Sequence, residues 1–248
     1  MKVVACYSMK GGVGKTATSV NLAYWAAKSG LKTLLIDLDP QGASSFYFNI
    51  SPSPKKWAVR FFKAYENLVK NLQTSEFENL DIIPAHLSFR GFDALLSGLE
   101  NRNKRLKRVL KGFDADYELV ILDCPPSIGY LSESVFIAAD IILVPVIPTT
   151  LSERTFEQLI TFFEENDYPI DKIMPFFSMV QAQKTLHQST MQSMLARYRQ
   201  FLSVTIPYSA DIEKMGEHQA PVDVFAKSKP ANGAYIELWG EVSKALKQ

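Results

Sequence analysis

Seven apolar runs recur along the 248-residue chain with helical stretches between them: VVACYS, TLLIDLD, LDIIPA, YELVILDCPP, DIILVPVIPT, KIMPFFSMV and VTIPYS. They are continuous rather than alternating in hydrophobicity. A strand that is apolar at successive positions is buried on both faces, which a parallel sheet covered by helices provides. The pattern therefore predicts an α/β fold, a doubly wound and mostly parallel sheet flanked by helices. One domain spanning 1–248 accommodates this length, and a chain of this size buries roughly 70–75% of its unfolded surface.

The connecting stretches read as helices over residues 16–30, 55–72, 89–111, 132–139, 152–166, 193–202 and 234–247. The serines and prolines of GASSFYFNISPSP, residues 42–54, predict a loop. In the last helix Tyr235, Trp239, Val242 and Leu246 form one stripe, expected to pack on the core rather than on a membrane.

Composition excludes several classes. The chain is 47% apolar and 21% charged with a net charge of +1, so neither disorder nor a global polyanion-binding character is indicated. Cys6 and Cys124 lie inside apolar stretches, and His86, His187 and His218 are isolated, so neither a disulfide framework nor a zinc site is expected. The chain enters a strand-like run at once, without a signal or transit segment, and no run reaches transmembrane length. The expectation is a soluble, cytoplasmic protein with no N-terminal helix-turn-helix domain.

Between the first apolar run and the first helix stands MKGGVGKTATS, residues 9–19. Gly11, Gly12 and Gly14 allow a tight turn whose amide groups converge on phosphate oxygens, and the following helix adds its N-terminal dipole. The cradle comprises Lys10, Gly11, Gly12, Val13, Gly14, Lys15, Thr16 and Ala17. Lys15 would reach the β and γ phosphates of ATP, and the Thr16 hydroxyl would take a Mg²⁺ position. A glycine turn that merely joins strand to helix is the plainer alternative, and it leaves GKT and the acidic strand ends unexplained.

Those ends are LLIDLDPQG, with Asp37 and Asp39, and LVILDCPPS, with Asp123. Parallel strands deliver their carboxyl ends to one edge of the sheet, beside the phosphate loop. Asp123 fits the magnesium-side carboxylate of a P-loop enzyme. Asp39, beyond its strand, is placed to orient or deprotonate a water, and Asp37 to make an outer contact with the metal. Caps or loop hydrogen bonds are the alternative use for all three.

The pattern lacks its usual first glycine, where Met9 stands, and carries a second lysine, Lys10. Two ammonium groups aimed at one triphosphate within one subunit would crowd. An outward Lys10, reaching a partner's phosphates across an ATP-dependent homodimer interface, avoids this and would act like an arginine finger.

From KGGVGKTATSVNLA through LLIDLDPQG, YELVILDCPPS and LVPVIPTTLS to IPYS, the sequence resembles the ParA and MinD group of deviant Walker ATPases, and its DPQG block resembles ParA more than MinD. The resemblance implies a slow ATPase using ATP and Mg²⁺. It also implies a sandwich dimer that binds DNA non-specifically, associates with the nucleoid when ATP-bound, and positions or segregates DNA or another cargo. A ParB-like or other adaptor would stimulate its hydrolysis. By resemblance Lys10 is the signature lysine, Lys15 the phosphate lysine, Thr16 and Asp123 magnesium-site residues and Asp39 the hydrolysis residue. A MinD-like membrane switch and a dethiobiotin synthetase-like metabolic enzyme are the alternatives.

Two departures fall where ParA relatives bind DNA: Gln181 and Gln183 replace a usual aspartate and arginine, and Tyr208 stands where an arginine often follows IP. Lys184, Arg197, Arg199, Lys214, Lys227 and Lys229 remain as candidate DNA contacts. A separate cluster, Arg102, Lys104, Arg105, Lys107, Arg108 and Lys111, reads as a solvated helix face or a polyanion site. Ser178 or Met179, and Pro207 or Ser209, are placed by position to border an adenine base.

Overall fold

The computed structural model describes residues 1–52, 57–227 and 229–247. All seven apolar runs form strands: β1 (Lys2–Cys6), β2 (Thr33–Asp37), β4 (Leu80–Ile83), β5 (Leu119–Asp123), β6 (Ile141–Val146), β7 (Ile173–Val180) and β8 (Thr205–Pro207). An eighth, β3 (Gln73–Thr74), was not expected. The order across the sheet is β3-β4-β2-β5-β1-β6-β7-β8, and every pairing is parallel except β3 with β4.

Burial on both faces is visible residue by residue in β1. Val3, Ala5 and Tyr7 join one apolar cluster, with Phe136, Phe156 and Phe163 among its members. Val4 and Cys6 join the other, built on the helices Lys15–Lys28 and Pro230–Ala245. Tyr235, Trp239 and Val242 are buried in that second cluster and Leu246 packs against it, so the terminal stripe is core. No described helix is long and apolar enough to cross a membrane.

Three helical expectations and one loop need correction. The 42–54 segment contains a helical turn, Ala43–Tyr47. The helix expected over 55–72 is two short ones, Ala58–Phe61 and Tyr65–Val69, because Ala64 between them is extended (φ −159°, ψ 148°). Residues 53–56, on which the end of that loop and the start of that helix fall, lie outside the described residues. The 89–111 helix is broken into Phe92–Ser97 and Arg105–Leu110 with 3-10 turns, where Asn101 takes a left-handed conformation (φ 52°) that a continuing helix forbids. The helix expected over 193–202 is Thr185–Arg197, ended by the extended Tyr198. Stacked and edge-on contacts among Trp57, Phe61, Phe62, Phe89 and Phe92, with centroids 4.3–5.4 Å apart, hold the short helices together.

Candidate active site

Register brings the acidic strand ends together. Cys6 pairs with Asp123 and Asp37 pairs with Asp123, so the loop after β1 and the ends of β2 and β5 share one edge. β1 lies between β5 and β6, where the connections diverge to opposite sides and leave a crevice for a ligand.

The loop turns through left-handed glycines, Gly12 (φ 70°) and Gly14 (φ 93°). Gly14 is doubly constrained, because a Cβ there would also stand 3.0 Å from Ser178 Oγ. It opens the helix Lys15–Lys28 without a side-chain cap, so the first-turn amides and the helix dipole are available to an anion. Val13 and Ala17 are buried beneath the turn, while Gly11 and Gly12 are exposed and Thr16 is half-buried.

Lys15 is 7% exposed and its Nζ donates to the carbonyl of Lys10 at 3.1 Å. Burial holds its ammonium below the ordinary lysine value, against the opposing charge of Asp123. Lys10 differs from its expected outward course. It is half-buried, and its Nζ donates to Ser152 Oγ at 3.2 Å, at the start of the helix Thr150–Glu165 of the same chain. Ser152 also accepts from the Thr149 hydroxyl, so a polar seat for the ammonium exists within the subunit. A cross-subunit role would require Lys10 to leave it.

Asp123 is fully buried. Ser19 Oγ donates to its Oδ1 at 3.1 Å, and its Oδ2 has no partner among the described residues. Burial, then the Asp37 carboxylate, push its carboxyl up to about 7. Such an orphaned buried oxygen, near the half-buried Thr16, fits a hard divalent cation with oxygen ligands. Asp37 is also fully buried, but its oxygens are engaged: Oδ2 accepts from Ser45 N (2.9 Å) and Ser45 Oγ (2.7 Å), and Oδ1 from Asp39 N (3.2 Å). It thereby fixes the turn that carries Asp39. Asp39 is half-buried, and its Oδ1 accepts from Gln41 N at 2.9 Å. Ser19, Ser45 and Ser152 were not anticipated, since nothing in a lone serine's local sequence marks its distant partner.

The four positions expected around adenine also reach this edge. Ser178 is buried beside Gly14, and Met179 has a left-handed backbone (φ 54°) where the β7–β8 register shifts. Pro207 ends β8, and Ser209 Oγ accepts from Asp211 N at 3.2 Å, capping a short helical turn.

The candidate DNA residues do not form one patch. Lys184 and Arg197 flank or end the 13-residue helix Thr185–Arg197, which separates them by about 20 Å, with Arg199 beyond. Arg197 is committed to Glu153 and Glu157. Lys214, Lys227 and Lys229 are exposed, the last two following the short helix Val222–Phe225 whose Asp223 is tied to Lys28.

Around the same edge six large apolar side chains are exposed, between 40 and 68%: Phe46, Leu87, Ile128, Leu151, Leu186 and Tyr208, following β2, β4, β5, β6, β7 and β8 respectively. Exposed apolar side chains mark a site of association where they form a contiguous patch.

Residues 1–173 match the AAA domain family AAA_31. The chain belongs to that family. Its relatives place it with the ParA/MinD-type P-loop ATPases. Soj of Bacillus subtilis, a sporulation initiation inhibitor protein, is 29% identical over 255 residues, covering 98% of each chain. The chromosome partitioning protein ParA of Caulobacter vibrioides is 27% identical over 250 residues, covering 98% of this chain and 94% of that protein. Among solved structures, cobyrinic acid a,c-diamide synthase from Mycobacterium smegmatis, with a bound ATP analog and magnesium, superposes with a TM-score of 0.81. It is 25% identical, and the match covers 100% of this chain and 96% of that one. In this ParA/MinD-type ATPase the sheet order sets the glycine loop and the acidic strand ends side by side.

Proposed function

We propose that the chain is a ParA-like ATPase that binds ATP with Mg²⁺, forms an ATP-dependent sandwich homodimer, binds DNA without sequence preference and positions DNA or another cargo. The observation that carries the reading is the pairing of a two-lysine phosphate loop with a rim of exposed apolar side chains on one sheet edge. The loop amides and Lys15 would hold the phosphates. Thr16 and Asp123 would hold Mg²⁺, which when bound neutralises phosphate charge. Asp39, oriented through the Gln41 amide, would accept the proton of a water as it attacks the γ-phosphorus, the bond to the β–γ bridging oxygen breaking and ADP leaving. Lys10, released from Ser152, would supply charge to the partner's phosphates. The chain as one ATPase domain, slow unstimulated turnover, a ParB-like stimulating partner, and a cytoplasmic location with nucleoid association of the ATP form complete the proposal.

Size-exclusion of the wild type and Lys10→Ala, with and without ATP and Mg²⁺, tests it alongside DNA retention over a salt series. The wild type should shift to a dimer only with ATP, and Lys10→Ala should lose that shift or at least about 100-fold of stimulated turnover. DNA retention should weaken by roughly 0.9 log unit per log unit of salt for each phosphate contact. A Lys10→Ala protein with full stimulated turnover removes the cross-subunit role.

The name of the Mycobacterium structural neighbour supports a second reading, an enzyme that uses ATP to activate a small acceptor. Stoichiometric transformation of such an acceptor with ATP consumption, without DNA retention, would favour it.

A further inference from the structure

Arg102, Lys104, Arg105, Lys107, Arg108 and Lys111 fall within ten residues without a carboxylate between them. The structure sorts them into two groups. Arg102 stacks on Tyr130, its guanidinium 4.0 Å from the ring centroid, and Arg105 Nε donates to the Glu100 carbonyl at 3.0 Å. The other four are exposed at i, i+3, i+4 and i+7, one stripe roughly 10 Å long rather than a ring of charge. Leu106, Val109 and Leu110, buried in the core, fix the stripe's orientation.

These four side chains and Ile137, from the helix Tyr130–Ala138, line one surface concavity of about 360 Å³. Among the described residues none of the four forms an ion pair; those formed are Lys28 with Asp223 and Arg197 with Glu153 and Glu157. A fifth cation is near: Lys172 Nζ donates to the carbonyls of Ala139 (2.8 Å) and Phe136 (3.4 Å). Its ammonium is held below the ordinary value by burial and then by the charge of Lys107. Like charges at this spacing destabilise a helix, so the arrangement does not serve stability. Its place is also separate from the nucleotide edge, since the helix carrying Ile137 starts after β5 and ends just before the start of β6.

A nucleic-acid backbone would use the cations but not the apolar floor. An acidic peptide uses both, setting carboxylates on the rim and an apolar side chain on Ile137, and 10 Å matches about three extended residues. We propose that this groove docks an acidic peptide segment of a partner protein, its carboxylates on Lys104, Lys107, Arg108 and Lys111 and one apolar side chain on Ile137.

The test uses the full chain and fluorescence anisotropy with three probes: a short labelled peptide alternating glutamate and leucine, an all-glutamate peptide, and a DNA duplex. The wild type should bind the mixed peptide. Lys107→Glu with Arg108→Glu should weaken it at least tenfold, and the milder Lys107→Gln with Arg108→Gln, at an unchanged thermal midpoint, should weaken it several-fold. Ile137→Ser should weaken the mixed peptide but not the all-glutamate one. Basal ATP hydrolysis should be unchanged in all three variants, which separates the groove from the nucleotide site. Three outcomes overturn the proposal: no binding of the mixed peptide, equal affinity for both peptides in the wild type, or duplex DNA displacing the mixed peptide and losing its own affinity in the charge-reversed variant.

Discussion

The Ser19 hydroxyl lies 3.1 Å from Asp123 Oδ1 and leaves Oδ2 of that fully buried carboxylate without a partner among the described residues. Half-satisfaction of a buried charge is costly, and a bound ligand can relieve it.

Mg²⁺ with ATP should therefore raise the thermal midpoint of the wild type, by roughly 2.7 kcal/mol of stability at one hundred times the dissociation constant. Asp123→Asn should lose most of the magnesium-dependent part while retaining some nucleotide-dependent shift. Thermal melts with and without chelator measure both. An undiminished magnesium effect in Asp123→Asn would place the cation elsewhere.

Asp39→Ala should slow hydrolysis by about 100-fold and leave ATP binding within a few-fold, because the role proposed for its carboxylate is proton transfer rather than holding phosphates. Fluorescent-nucleotide titration beside a phosphate-release assay separates the two. Loss of binding would show that Asp39, like Asp37, mainly shapes the loop.

Gly14→Ala combines a disfavoured φ with the 3.0 Å approach to Ser178 Oγ. It should cost about 1–2 kcal/mol from the backbone alone. Adding Ser178→Ala should return only the steric share. Denaturant melts of the single and double variants measure the partition, and full recovery would refute the backbone contribution.

Asp223 accepts from Lys28, from Tyr24 (2.8 Å) and from Asn232 (2.8 Å), locking the segment before the last helix onto the helix Lys15–Lys28. Burial works to raise its carboxyl, but these donors outweigh burial and hold it below the ordinary range. The resulting stability is present above the unfolded value of about 3.9 and is lost as pH falls through the lower folded one. Asp223→Asn should cost about 1–3 kcal/mol near neutrality and flatten the acid limb of the stability curve. Chemical denaturation across an acid series checks the direction.

Arg197→Ala should change DNA retention less than Lys184→Ala, since the Arg197 guanidinium already pairs with Glu153 and Glu157. Filter retention at low salt compares them. A larger loss in Arg197→Ala would mean that DNA displaces the two glutamates.

The sheet and the phosphate loop were legible because their signals are local: an apolar run, a glycine turn, a carboxylate at a strand end. What was hidden depends on distance. The partner of Lys10 is Ser152, 142 residues away, and nothing beside Lys10 indicates it. The sequence places the start of the helix Thr185–Arg197 too late because its buried residues include His187 and Thr190, which carry no hydrophobic period. The break at Ala64 accompanies the packing of Phe61 and Phe62 into an aromatic cluster and the one at Asn101 a left-handed residue, and the continuous helical pattern of the local sequence signals neither. The six scattered apolar side chains after successive strands look like ordinary loop residues until the parallel sheet gathers them.

β1 pairs on one side with β5, Lys2 opposite Leu119, and on the other with β6, Val4 opposite Ile141. The first strand synthesised thus has no neighbour until nearly half of the chain has followed it. Closing such long loops before any reward is gained slows folding. A nascent chain ending before β5 carries KGGVGKT but neither Asp123 nor a strand partner for β1, so the loop and the acidic strand ends come together only when translation has reached about the centre of the polypeptide.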